Sequence, residues 1–317
     1  MAKMNVNEIV TSIDNDFNVF ICSSSFEERT LTISSKIKDM TFDKIILLEN
    51  KQGSELLKNN TAKIKALFPR NRLDISVDFH NMLLLVNDIR CALSDLSDNC
   101  KILIDITTFT HEELLICAKI LLTNDRIKEV VCLYNNAAEY CISTPLNEKW
   151  LSQGAEMIHP VWGFSGLVLP SRQTHLIVIL GYESSRAFAA ISDIEPASIS
   201  LIYGSSSSSI TDKDKEANSF FKNVLQDMAF EYNDIEEYDI PCNDPDMISE
   251  GLKKIYDMHQ DKNIVVVPLN SKMSTIGVVL STLERENVQV CYAPAIIYNE
   301  QFYSESGVNC YIYTLKM

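Results

Sequence analysis

The sequence predicts an α/β protein made of two doubly wound, mostly parallel sheets in tandem, related by internal duplication. Three observations predict it. Short runs rich in Ile, Val and Leu alternate with amphipathic stretches along most of the 317 residues, the pattern of strands buried by helices on both faces. The order strand, polar turn, helix occurs twice, about 160 residues apart, as Asn18–Cys22 running into Ser23–Arg29 and His175–Leu180 running into Gly181–Arg186. Each half also has a later apolar strand that ends in a hydroxyl-rich turn, Asp105–Thr110 in the first and Asn270–Thr275 in the second.

In the first half, Lys44–Leu48, Leu73–Val77, Lys101–Ile104 and Val130–Tyr134 follow the opening strand, with helical stretches over Gly53–Phe68, Asn81–Leu96 and His111–Leu122. Five strands then form a first domain over 1–137. From 138 to 174 the pattern breaks at Trp150, Trp162 and several Gly and Pro, which predicts a connector with a candidate β-hairpin. The second domain, 175–317, continues with strands at Ser198–Tyr203, Tyr238–Pro241 and Ile264–Pro268. Its helices are expected over Lys215–Ala229, Asp246–His259 and Ser274–Arg285. Val288–Tyr292 and Asn309–Thr314 are expected to complete its sheet, the last pair antiparallel. The serine run Ser205–Ser209 reads as a surface loop or as a ribose contact.

Composition narrows the function classes. A hydrophobic content of 46% supplies a core to two domains. The net charge of -15, most of it between Asp193 and Lys262, opposes a nonspecific hold on nucleic acid, which needs cations to displace phosphate counterions. The 9 Cys have no CxxC spacing, so packed, reduced thiols are expected rather than a zinc or disulfide framework. No metal or cofactor is expected. No apolar run approaches the about 18 to 20 residues of a membrane span, and a cytoplasmic protein without membrane contact is expected.

Ligands of open doubly wound sheets bind beyond the carboxyl ends of the strands, where strand order reverses. With the order 3-2-1-4-5, that point lies between strands 1 and 4. In the first half it should set Ser23, Ser24, Ser25, Glu27, Glu28 and Arg29 against Asp105, Thr107, Thr108, Thr110 and His111. In the second it should set Tyr182, Glu183, Ser185 and Arg186 against Asn270, Ser271, Lys272, Ser274 and Thr275. Some of these residues also read as helix caps: Ser25 with Glu28, and Thr110 with Glu113, have capping-box spacing. Superposition of the halves should lay Glu27 over Glu183 and Asp105 near Asn270. Arg29 and Arg186 should be held by neighbouring carboxylates. A phosphate, if bound, should prefer the second half, where Lys272, Ser274 and Thr275 open a helix.

The turn Asp105-Ile-Thr-Thr-Phe-Thr110 resembles the Asp-x-Thr-Gly-Gly-Thr-Lys turn of CRISPR-associated Rossmann-fold (CARF) sensor domains, and Asn270–Thr275 resembles a degenerate second copy. The SAVED sensors are similar in carrying two such units. The resemblance implies Rossmann-like domains in a bacterial antiphage defence protein, with strand 1 and strand 4 turns that hold a nucleotide-like second messenger and with another defence protein as partner. The double glycine of that motif is missing in both halves, and the first turn has no lysine. An enzymatic alternative rests on Glu112 and Glu113 at the start of the helix after Asp105, where Rossmann-like N-glycosidases and NAD hydrolases place a catalytic glutamate. Acidic residues in a first helical turn also complement the helix dipole. Oligomeric state is not fixed by any of these features.

Overall fold

The computed structural model describes residues 1–50, 53–140, 150–182, 184–204, 223 and 235–316. The expected Lys215–Ala229 helix, the Ser205–Ser209 run and Glu183 lie outside the described residues. The chain divides into two compact units, Met1–Cys141 with Glu300–Met317, and Ile142–Asn299.

In the first unit, β1 (Ala2–Asn5) and α1 (Ile9–Ser12) precede β2 (Val19–Ser23), α2 (Thr32–Ile37), β3 (Lys44–Asn50) and α3 (Glu55–Leu67). Then come β4 (Arg72–Val77), α4 (Met82–Ala92), β5 (Cys100–Asp105), α5 (His111–Leu122) and β6 (Ile127–Tyr140). The second unit holds β7 (Ser152–Gln153), β8 (His159–Pro160), β9 (Thr174–Ile179), α6 (Ser184–Ile194), β10 (Ser198–Tyr203), β11 (Ile235–Asp239) and α7 (Pro245–Met258). It continues through β12 (Asn263–Pro268), α8 (Lys272–Thr282), β13 (Val288–Tyr292) and β14 (Ile297–Tyr298). The chain then returns to the first unit as β15 (Ser304–Lys316).

Both units are Rossmann-like. The first sheet has the order β1-β15-β6-β5-β2-β3-β4 and the second β11-β10-β9-β12-β13-β8. In each, the five parallel strands run 3-2-1-4-5, as the sequence predicts, and reverse between β2 and β5 or between β9 and β12. Every residue of β2 and β12 is buried, which is why these strands are continuous apolar runs. Phe20, Leu47 and Leu103 pack with Ile33, Ile37 and Ile64 on one face of the first sheet. Leu176, Val178 and Val265 pack with Ala187, Ala190 and Ile191 in the second unit. Each fully buried Leu or Ile stabilises its unit by about 1.5–3 kcal/mol relative to exposure.

The register relates the repeats residue by residue. The first amide past strand 1 is held by strand 2 in both: Ser24 N donates to Leu48 O at 2.9 Å, and Leu180 N to Ile202 O at 2.8 Å. Cys22 lies opposite Asp105 and Val178 opposite Val267. Asp105 therefore corresponds to Val267, and it is Thr108 rather than Asp105 that corresponds to Asn270.

Three domain expectations change. The strand over Asn309–Thr314 does not complete the second sheet; β15 lies antiparallel between β1 and β6 in the first. The 14-residue β6 would otherwise present a long unpaired edge, and period-2 burial alone does not say which edge a strand will cover. The second domain thus ends at Asn299 rather than 317. The described part of the connector forms no hairpin of its own, since β7 pairs with β14 and β8 with β13, both antiparallel. Among the described residues every cysteine is free, all but Cys91 buried, and no helix is long and apolar enough to cross a membrane.

Candidate functional site

The polar turns do gather at the switch point of each unit. In the first, the turn after β2 is tied down from several sides. Ser23 O accepts from the Thr30 and Thr108 hydroxyls at 2.9 and 3.0 Å, so the strand 1 and strand 4 turns are joined through one carbonyl. Ser25 Oγ accepts from Glu27 N at 3.3 Å, and Asn60 Nδ2 on α3 donates to Ser25 O and Phe26 O, both at 3.1 Å. The capping box expected for Ser25 and Glu28 does not form; the 3-10 turn Glu28–Leu31 begins after Glu27.

Arg29 is 3% exposed, and its fork is committed to the protein. Nε donates to Glu27 Oε2 at 3.0 Å and to Ser304 Oγ at 3.2 Å, Nη1 to Asn135 O at 3.0 Å and Nη2 to Glu27 Oε2 at 2.5 Å. The Tyr140 ring lies beneath it, its centroid 5.5 Å away. Burial works against the charge, but the Glu27 carboxylate together with Tyr140 and Tyr134 outweighs it and holds the guanidinium protonated. The carboxylate expected beside Arg29 is therefore Glu27. Ser304 and Asn135, from β15 and β6, had no sequence signal.

At the end of β5, Asp105 is 3% exposed. Its Oδ1 accepts from Thr107 N at 3.0 Å. Burial pushes its carboxyl up to about 7, against the opposing pull of the Thr107 hydroxyl and amide and of Arg29. Thr107 Oγ1 accepts from Asn135 N at 3.0 Å. Ser24, 5% exposed, buries a hydroxyl that has no hydrogen-bond partner among the described residues. Glu113 forms the predicted capping box with Thr110: Thr110 N donates to Glu113 Oε2 at 2.7 Å, and Glu113 N to Thr110 Oγ1 at 3.1 Å. Glu112 and His111 are buried beside it.

The second switch point is tighter. A Cβ on Gly181 would lie within van der Waals overlap of Leu269 O, so the strand 1 and strand 4 turns approach closely only because residue 181 is glycine. Asn270 Nδ2 donates to Leu180 O at 2.5 Å, one residue further along strand 1 than the Ser23 carbonyl that the equivalent Thr108 reaches. Ser271 caps α8 by accepting from Ser274 N at 3.0 Å. The Ser274 and Thr275 hydroxyls donate back to Ser271 O at 2.7 and 3.2 Å, and both residues are fully buried. These bonds complete the first turn of the helix. Lys272 is half-buried at the first position of α8. Arg186 lies over the Tyr292 ring, 5.7 Å from its centroid, with Nε donating to Ala293 O at 2.7 Å. Tyr182 is half-buried on the turn.

A further polar cluster lies at the opposite, amino end of the second sheet. His175 is fully buried with Nδ1 2.7 Å from Ser198 Oγ and Nε2 2.9 Å from Ser200 Oγ. Its ring stacks on His259 with centroids 3.6 Å apart, and Glu236 holds His259 Nε2 at 3.3 Å. The one sequence signal for this cluster is the histidine at the head of an apolar strand.

No family model matches the sequence, and no curated protein does. Solved structures that align include the cytoplasmic domain of a prokaryotic cation chloride cotransporter, at 12% identity and a TM-score of 0.27 over 88% of this chain and 95% of that one. A Burkholderia multivorans protein assigned as a short-chain alcohol dehydrogenase aligns at 7% identity and a TM-score of 0.26, over 89% of this chain and 100% of that one. At these scores neither carries an argument about function.

Proposed function

We propose that the chain is a ligand-sensing protein whose first switch-point crevice holds a nucleotide-like small molecule. The observation that carries this reading is that a buried acid, Asp105, and a buried hydroxyl without a partner among the described residues, Ser24, lie on the strand 4 and strand 1 turns, at the place where doubly wound sheets take ligands. Binding is favoured over catalysis because the Glu113 carboxylate is engaged in capping α5. The CARF and SAVED likeness of the Asp105–Thr110 turn supports an antiphage role with a second defence protein as partner. The acidic chain favours a small ligand over nonspecific nucleic acid.

The test is calorimetric titration of the full chain with nucleosides, mononucleotides, NAD and cyclic oligonucleotides, with products resolved by chromatography. Saturable binding without turnover is the expected result. Turnover of NAD or a nucleoside that Glu113→Gln or Glu112→Gln abolishes would replace the sensor reading with the N-glycosidase one.

A further inference from the structure

We infer that the first crevice takes the uncharged, hydroxyl-bearing part of its ligand, a nucleoside ribose or an equivalent vicinal diol, and rejects phosphate. This deepens the sensing proposal and rests on it. A phosphate site needs free cationic donors or an uncapped helix N-terminus, and among the described residues the two facing turns supply neither.

Arg29 is the one Lys or Arg in the two facing turns, 23–31 and 105–113. Its guanidinium is spent on Glu27, Ser304 and the Asn135 carbonyl. The N-terminus of α5, which points from the strand 4 turn, is closed by the Thr110 and Glu113 box. Its first turn carries Glu112 and Glu113, so the helix dipole is already answered by carboxylates. Asp105, at the end of β5, adds a third acidic group to this turn. An incoming phosphate would meet acids without a compensating cation.

A diol meets the opposite conditions. Its hydroxyls donate to Asp105 and accept from Ser or Thr hydroxyls. Ser24 offers the independent sign of a ligand: its buried Oγ lacks a partner among the described residues, an arrangement that is costly in the free protein and that a ligand oxygen relieves. In dinucleotide-binding folds an acidic side chain likewise holds a ribose hydroxyl.

The experiment compares the four ribonucleosides with their 5′-monophosphates by calorimetry on the full chain, each titration repeated with Asp105→Ala and Ser24→Ala variants whose folding is checked by thermal unfolding. The expected result is that a nucleoside binds at least as tightly as its monophosphate, and that both variants weaken it tenfold or more. A 2′-deoxynucleoside should bind at least tenfold more weakly than its ribose form. A monophosphate tenfold tighter than its nucleoside, with the gain lost in Asp105→Ala, would overturn the inference and leave the ligand site standing. Binding unaffected by Asp105→Ala would place the ligand elsewhere and overturn the assignment. Absence of binding by every nucleoside and nucleotide would overturn the sensing proposal as well. The wild-type comparison of nucleoside with monophosphate decides the question even if the variants fail to fold.

Discussion

Asp105 is the residue where the proposed function and stability oppose one another. Its carboxyl is pushed from 3.8 to about 7 chiefly by burial. The folded state therefore keeps a proton that the unfolded state has released, so stability present below pH 3.8 is lost as pH rises toward 7. A shift of this size amounts to about 4 kcal/mol. Asp105→Asn should raise the stability of the first unit at pH 8 and flatten its dependence between pH 4 and 7, as measured by urea unfolding at a series of pH values. In the wild type, ligand affinity should rise between pH 6 and 8, because a diol donates best to the ionised carboxylate. A flat calorimetric profile would remove Asp105 from the contact. His175 runs the other way. Burial, with His259 and Lys262 beside it and Glu236 opposing, lowers it from 6.5 to about 4. Folding keeps it neutral while the unfolded chain takes a proton, so the second unit should lose about 3 kcal/mol as pH falls from 6.5 toward 4 and none above 6.5. Thermal unfolding of wild type and His175→Gln across that window checks this, with the smaller slope expected in the variant.

At the scale of elements, what was legible in the sequence was whatever is local. Buried parallel strands such as Val19–Ser23 are unbroken apolar runs, and Thr110 with Glu113 at three residues' spacing forms the box that spacing predicts. Two turn sequences at the same place in each repeat were enough to find both switch points. The remainder depends on contacts distant in sequence. Nothing in Ser304 or Asn135 marks them as partners of Arg29, 275 and 106 residues away. Nor does a hydroxyl in a first helical turn show in the sequence whether it bonds back to the helix, as those of Ser274 and Thr275 do. Gly181 carries the opposite lesson, a single residue type dictated by a neighbouring turn. Gly181→Ala would push a methyl into the Leu269 carbonyl, which is backbone and cannot rotate away. Overpacking of this kind costs about 1–3 kcal/mol or more. The variant should unfold the second unit at lower urea while leaving the first unit's transition in place, followed by separate probes: fluorescence for the second unit, which holds both tryptophans, and hydrogen exchange for β2 and β5.

For the whole molecule, the decisive fact is that the second unit is an insertion. Tyr140 and Ser304 are register partners on the antiparallel β6 and β15, so the chain leaves the first unit and re-enters it at adjacent points. The 158 residues between 142 and 299 occupy the position of a hairpin loop. An insertion of that size is tolerated when the excursion has its own core and its ends meet, and Leu176, Val265 and Ile199 belong to such a core. The first unit, by contrast, is completed only when β15 returns. Without it β6 has no partner on its outer side, and the sides of Leu133 and Val131 that Cys310 and Ile312 help cover would be bare. Three fragments test this. Residues 142–299 expressed alone should fold cooperatively, and residues 1–141 alone should be aggregated or unfolded. Residues 1–140 joined to 304–316 by about four Gly and Ser residues, a hairpin connection of ordinary length, should recover a folded first unit. Circular dichroism and size-exclusion chromatography read all three, and a folded 1–141 fragment would show that β15 covers an edge the first sheet can leave open.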